Sequence, residues 1–261
     1  IIFMKLFKYI FFLSFNFFAL CNFGQNYLLN EDFSTASGST PPSDWANLNN
    51  IGVASDIWRF DDPGTRAPGF PMLGKFAIFD SENYSLSNGA EEAQLQSKLI
   101  DCSGSANVLL LFDHYFPAAS GTATASVEVY DGTSWNTAVV FNDSTDGIEE
   151  QLVNISQWTA GISNAKVRFV WSGNGNSFWA VDNVKVLVPL SMDAMLSEIE
   201  SPQHPFSEGS QNILVKMTNF GGTTITSATI KFSLDGVLQT PYSWSGNLLP
   251  GESESNINVG S

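Results

Sequence analysis

Histidine and cysteine are nearly absent from this chain. Two of each stand in 261 residues: His114 and His204, Cys21 and Cys102. Two distant histidines build no His-rich zinc site and leave little for a general base. Two cysteines make no disulfide framework. Lysine and arginine are also scarce, 11 against 26 acidic residues, for a formal charge of −15. Binding the phosphate backbone needs clustered cations, so nucleic acid is excluded as a partner. Only 14% of residues are charged, and no long helical period runs through the sequence. There is no Gly-x-Ser-x-Gly elbow to go with a catalytic serine. Gly173-Asn174-Gly175-Asn176 lacks the helix start and lysine of a phosphate loop, and reads as a hairpin tip.

What is present begins with a leader. Met4-Lys5-Leu6-Phe7-Lys8 is a basic opening, followed by an apolar run from Tyr9 to Leu20. Small or polar residues follow as far as Gly24-Gln25, the layout of a cleaved export signal. A membrane span needs about 20 apolar residues, and this run is shorter and broken by Ser14 and Asn16. Residues 1–24 are therefore assigned to a signal peptide, with Ile1 to Phe3 standing before the initiator Met4. The expected mature protein is secreted or held at the cell surface, with no membrane span. Phe18-Ala19-Leu20 before Cys21 argues against a lipid anchor there, and cleavage after Gly24 leaves Cys102 as the sole thiol.

From Asn26 to Val188 short alternating runs are separated by turns. Ala125 to Tyr130 alternates and meets Asp131-Gly132, a tight hairpin signal; Trp135 to Phe141 is the return strand. Lys75 to Phe79, Val108 to Phe116, Ala165 to Trp171 and 177–188 are further strands. Many short strands at this spacing predict a sandwich or jelly roll. Pro189 opens a linker. Beyond it come Ala194 to Ile199, Asn212 to Met217, Thr226 to Leu234, Val237 to Trp244 and Asn256 to Val259, with Asp235-Gly236 as a second hairpin signal. The fold class expected is all-β: a jelly-roll β-sandwich over 25–188, then an incomplete immunoglobulin-like β-sandwich over 189–261. The chain stops one residue after a strand and reads as a fragment of a longer protein.

One residue breaks the pattern. Phe178, Ala180, Val184, Val186 and Val188 share a parity, and Asp182 falls among them. A bare buried carboxylate costs several kcal/mol or gives up its charge. It caps backbone N–H groups, pairs with Arg168, or holds a cation.

The order of several segments carries a resemblance. Asn30-Glu31-Asp32-Phe33, Pro42-x-x-Trp45 and a Trp58 segment are followed by Leu95 to Ile100, Leu109 to Tyr115 and Phe178-Trp179-Ala180-Val181-Asp182-Asn183-Val184. This set resembles the MAM domains and their bacterial relatives, the cleaved-adhesin domains of gingipain-type proteases and the choice-of-anchor domains. Ser201-Pro202, Lys216 to Gly221 and Leu249-Pro250-Gly251 are similar to immunoglobulin-like adhesion modules of such secreted proteins, which often end in a sorting domain for type IX secretion. The resemblance implies a structural calcium ion joining the first strand, an early loop and the last strand. Glu31, Asp56, Asp80 and Asp182 match that role, although Asn183 replaces a second acid.

The function expected is non-catalytic adhesion or binding, with an extracellular protein or glycan as ligand. The alternatives are accessory domains of a longer secreted hydrolase, or a carbohydrate-binding module. Of Trp58, Trp135, Trp158, Trp171 and Trp179, Trp135 is the expected exposed ligand-binding aromatic; core packing is the reading for most of the others. His114 is expected on the outer face of its strand, and Glu91-Glu92 as solvated loop charge.

Overall fold

The structure, a computed structural model, describes residues 26–84, 89–117, 123–174, 177–203, 209–234 and 236–261. The expected leader at 1–24, together with His204, Gly175, Asn176 and Asp235, lies outside the described residues. The chain divides after Pro189 into two compact units, Gln25–Pro189 and Leu190–Ser261.

The first unit runs β1 (Asn26–Glu31), β2 (Ala46–Ile51), β3 (Ala77–Asp80), α1 (Ser81–Tyr84), β4 (Glu91–Gln96) and β5 (Leu109–Tyr115). It continues with β6 (Thr124–Tyr130), β7 (Trp135–Phe141), β8 (Glu149–Asn154), α2 (Ser156–Thr159), β9 (Lys166–Gly173) and β10 (Phe178–Val188). One sheet has the order β1-β10-β5-β8, with β3 also on β10; the other is β2-β4-β9-β6-β7. All pairings are antiparallel. This is a jelly-roll β-sandwich.

Alternation builds it. Ala125, Val127 and Val129 of β6 and Val167, Phe169 and Trp171 of β9 point into one core with Phe112, Trp179 and Val186 of the opposite sheet. Trp58, Trp171 and Trp179 are fully buried there, and Trp58 meets Trp179 edge-on at 5.4 Å between ring centroids. Edge-to-face contacts of this kind add to the area the rings bury. At the hairpin after β6, Gly132 takes φ of +92° while the Asp131 carboxylate accepts from the backbone N–H groups of Thr133 and Ser134 at 2.8 Å each. The turn is closed by its own first residue.

The run 177–188 is not one alternation. Asn183 has φ of +52°, and the pairing to β5 shifts between Asp182 and Lys185. Such a bulge turns the side chains after it to the other face. Trp179, Val181, Val184 and Val186 enter the main core, whereas Phe178 and Ala180 join a small outer cluster with Met72, Phe76 and Ile78. Asp182 therefore does not share a face with Val184 and Val186. It lies on the outer side, directly opposite Asp113.

The second unit contains β11 (Ala194–Ser201), β12 (Ile213–Asn219), β13 (Ile225–Ile230), β14 (Ser233–Leu234), β15 (Val237–Leu238), β16 (Tyr242–Leu248) and β17 (Ser253–Gly260). They pair as β11-β12-β17, β13-β16 and β14-β15 around Val215, Met217, Phe232, Trp244 and Ile257. The expected strand Val237 to Trp244 is split between β15 and β16. Pro241 stands in the gap, where its missing N–H cannot serve a ladder.

Candidate functional site

The outer face of the sheet β2-β4-β9-β6-β7 is unlike an ordinary solvated sheet face. Gln96, Arg168, Glu128 and Thr137 stand opposite one another across β4, β9, β6 and β7. Their strand neighbours Leu95, Phe169, Val127 and Val129 fill the core, so period-2 geometry sends these four outward. The polar side chains are tied to one another. Arg168 donates from Nε to Glu128 Oε2 at 2.8 Å and from Nη1 to Gln94 Oε1 at 2.7 Å, and Gln96 Nε2 donates to the same Gln94 oxygen at 2.9 Å. The Arg168 guanidinium also lies 4.1 Å from the centre of the Trp135 ring. Tyr130, opposite Trp135 across the hairpin, brings its ring to 5.3 Å. Trp135 is thus half-buried, with one ring face against Arg168. Arginine is suited to this combination because its planar fork bonds carboxylate and amide while its face stacks on indole.

The four residues expected to bind calcium are not brought into one shell. Glu31 and Asp182 are near enough for the Glu31 charge to act on Asp182, along with Asp32 and Asp113. Asp182 is 3% exposed, and its Oδ1 accepts the Asn183 backbone N–H at 2.7 Å. Burial first, then these like charges, push its pKa up to about 7. Asp113 is tied to Asn183 Nδ2 at 2.7 Å and is also raised, chiefly by burial. Asp80 is engaged elsewhere: Arg66 holds it through Nη2 at 2.7 Å and Nε at 3.0 Å. Asp56 accepts the Val53 N–H at 2.8 Å within its own turn. Among the described residues no group of three or more His, Cys, Asp and Glu side chains is arranged to hold a metal ion. The four-carboxylate set does not fit one ion. Pairing of Asp182 with Arg168 does not occur either, since Arg168 is committed to Glu128 and Gln94 on the opposite sheet.

His114 is not on an outer face. It is fully buried, its Nδ1 faces the Trp179 indole N–H at 3.4 Å, and its ring lies 4.3 Å from that of Phe141. Burial drives its pKa down to about 4, so it is neutral at neutral pH. Among the described residues its hydrogen-bonded side-chain partner is the Trp179 indole, which offers neither a nucleophile nor an orienting carboxylate. His114→Ala is expected to lower stability by about 1–3 kcal/mol through a core cavity and to leave ligand binding unchanged. Denaturant unfolding beside a binding isotherm checks both parts. Glu91 also departs from expectation: it is 1% exposed rather than solvated.

Sequence reasoning singled out Trp135 but missed Gln94, Gln96, Glu128 and Arg168. Their signal was the polar parity of β4, β6 and β9, read only for its apolar half.

No family model matches the chain, and no curated protein matches it. Solved structures do. TmCBM61 in complex with β-1,4-galactotriose is 13% identical, covering 62% of this chain and 97% of that one, with a TM-score of 0.43. The K3 cleaved adhesin domain of Lys-gingipain from Porphyromonas gingivalis is 14% identical over 61% and 98%, with a TM-score of 0.41. Caldicellulosiruptor saccharolyticus CBM27-1 in complex with mannohexaose is 14% identical over 60% and 94%, with a TM-score of 0.37. This chain is similar to these among other solved structures, and no residue's role is taken from them.

Proposed function

We propose that residues 25–188 form a non-catalytic binding module of an exported protein, taking a glycan on the outer face of β2-β4-β9-β6-β7. The observation that carries this reading is the tied row Gln96–Gln94–Arg168–Glu128 ending against Trp135. A sugar offers hydroxyls at its rim and C–H groups on its ring faces. Amide and guanidinium groups answer the first and indole the second. Long polar side chains normally lose rotamer freedom on binding. Here their mutual bonds have already removed much of it. The leader at 5–20 supports export, and the 189–261 segment, read as immunoglobulin-like, supports a multidomain extracellular protein.

A glycan array probed with the wild type and Trp135→Ala tests the reading. The wild type should bind at least one glycan class. The variant should lose about tenfold or more in affinity, the scale of an interface hot spot, with an unchanged melting temperature. An array without any bound glycan, or a variant binding as well as the wild type, overturns the assignment.

A further inference from the structure

A second surface lies in the second unit. Among the described residues β13 pairs with β16 alone, so no strand covers its other edge. Beside β13 runs an apolar cleft of about 500 Å3, lined by Met195, Leu196, Met217, Ile230, Phe232 and Leu238. Met195 is 40% and Leu238 is 68% exposed. Free strand edges invite pairing, and they are ordinarily guarded by charge or proline. The outer edges of this unit differ in that respect. β11 carries Glu198 and Glu200, and β17 carries Glu254. β13, which reads Ile225-Thr226-Ser227-Ala228-Thr229-Ile230, has neither charge nor proline, and β16 has none either. In a chain of formal charge −15 this two-stranded sheet is uncharged.

We infer that β13 is the contact strand of a homodimer, pairing antiparallel with β13 of a second copy so that the two clefts join. Acidic surface repels a second copy of the same acidic chain. The uncharged sheet is where two copies approach without that repulsion. Antiparallel pairing of a strand with its own copy is two-fold symmetric, so one contact satisfies both edges and closes.

The exposure pattern sets the register. Ala228 packs on the core, while Ser227 and Thr229 are exposed. A two-fold axis at Ala228 places Ser227 opposite Thr229 of the other copy and keeps like faces together. The same register sets Lys231, just past the strand, opposite Ile225 of the second copy. At that end Thr223 donates its N–H to the Ser191 carbonyl at 3.0 Å, two residues before Asp193. Among the described residues Asp193 is in no ion pair. Each lysine is thus carried toward the other copy's free carboxylate, while the two lysines stand at opposite ends of the paired strands. This charge complementarity selects a second copy of the chain as the occupant.

Sedimentation of the mature chain, 25–261, from about 1 to 300 µM tests the pairing. A single strand pair buries less than the roughly 1,200–2,000 Å2 of a strong interface, so the wild type should pass from monomer to dimer with a Kd on the order of 10–100 µM. Thr229→Lys sets two ammonium groups on diagonal positions about 7–8 Å apart and should weaken the dimer about tenfold or more. Ser255→Lys, on the exposed edge of β17, should leave it unchanged. Lys231→Glu should weaken it about fivefold, and Asp193→Lys added to that variant should restore it. Circular dichroism shows which variants fold. Should Thr229→Lys not fold, the Lys231→Glu and Asp193→Lys pair decides by itself. A wild type that stays monomeric throughout the range overturns the inference. So does a dimer that ignores both Thr229→Lys and Lys231→Glu, or one that Ser255→Lys breaks.

Discussion

Asp182→Asn is expected to stabilise the protein at pH 8 in the presence of chelator, by on the order of 3 kcal/mol. The cause is burial beside Asp113, with the Asp32 and Glu31 charges also near, which together lift the Asp182 pKa to about 7. An unfolded aspartate titrates near about 3.9. Between those two values the folded state binds the proton more tightly than the unfolded chain. Stability contributed by the protonated carboxyl is therefore present at low pH and lost as pH rises through the window from about 4 to 7. Asparagine never ionises, so it removes the penalty while its amide oxygen still accepts from the Asn183 N–H. The gain should be largest at pH 8 and vanish near pH 4. His114 works in the opposite sense, since its depressed pKa makes stability fall as pH drops from about 6.5 to about 4, and that slope is common to both proteins. Urea midpoints for the two proteins at pH 4, 6 and 8 make the comparison. If Asp182→Asn is instead destabilising at pH 8 with chelator present, the carboxylate has a favourable partner and its surroundings have been misread.

Arg66→Met should act in the opposite direction and destabilise the protein. Asp80 is fully buried, and Arg66 supplies two bonds to it from one guanidinium, which also lies 5.1 Å from the Phe178 ring. Removing one partner of a buried pair strands the other, at a cost of about 3–5 kcal/mol. Arg59→Met is the control. Its partner Asp61 is 44% exposed at the side chain, and exposed pairs contribute about 0–1 kcal/mol. The double change Arg66→Met with Asp80→Asn should recover part of the loss, because the stranded charge has gone. Equal, small losses for Arg66→Met and Arg59→Met would show that Asp80 is held by something other than Arg66.

Alternation made most of the strands legible in advance, because β6 and β9 each bury one side and wet the other. It failed where both sides are covered or the period slips. Asn183 inserts a residue with positive φ into the last strand, and nothing in the letters around it announces the bulge. That single residue misplaced Asp182 by one face. His114 shares parity with the buried Leu110, Phe112 and Phe116, so its inward aim was written in the pattern; polarity was given more weight than position. Glu91 and Glu92 look alike as neighbours, yet a strand sends adjacent residues to opposite faces. The ion pair of Arg66 with Asp80 was not legible at all. It joins a loop without period to the end of β3, a contact fixed only by how the loop folds over the sheet.

The binding face is most directly tested by amide hydrogen exchange with the best array glycan added in excess. Protection should appear on β4, β6 and β9, around Gln94, Gln96, Glu128 and Arg168, and on the Tyr130–Trp135 hairpin, while β5, β8 and β10 stay unchanged. Protection confined to β5, β8 and β10, or to residues beyond Pro189, would contradict the assignment of that face.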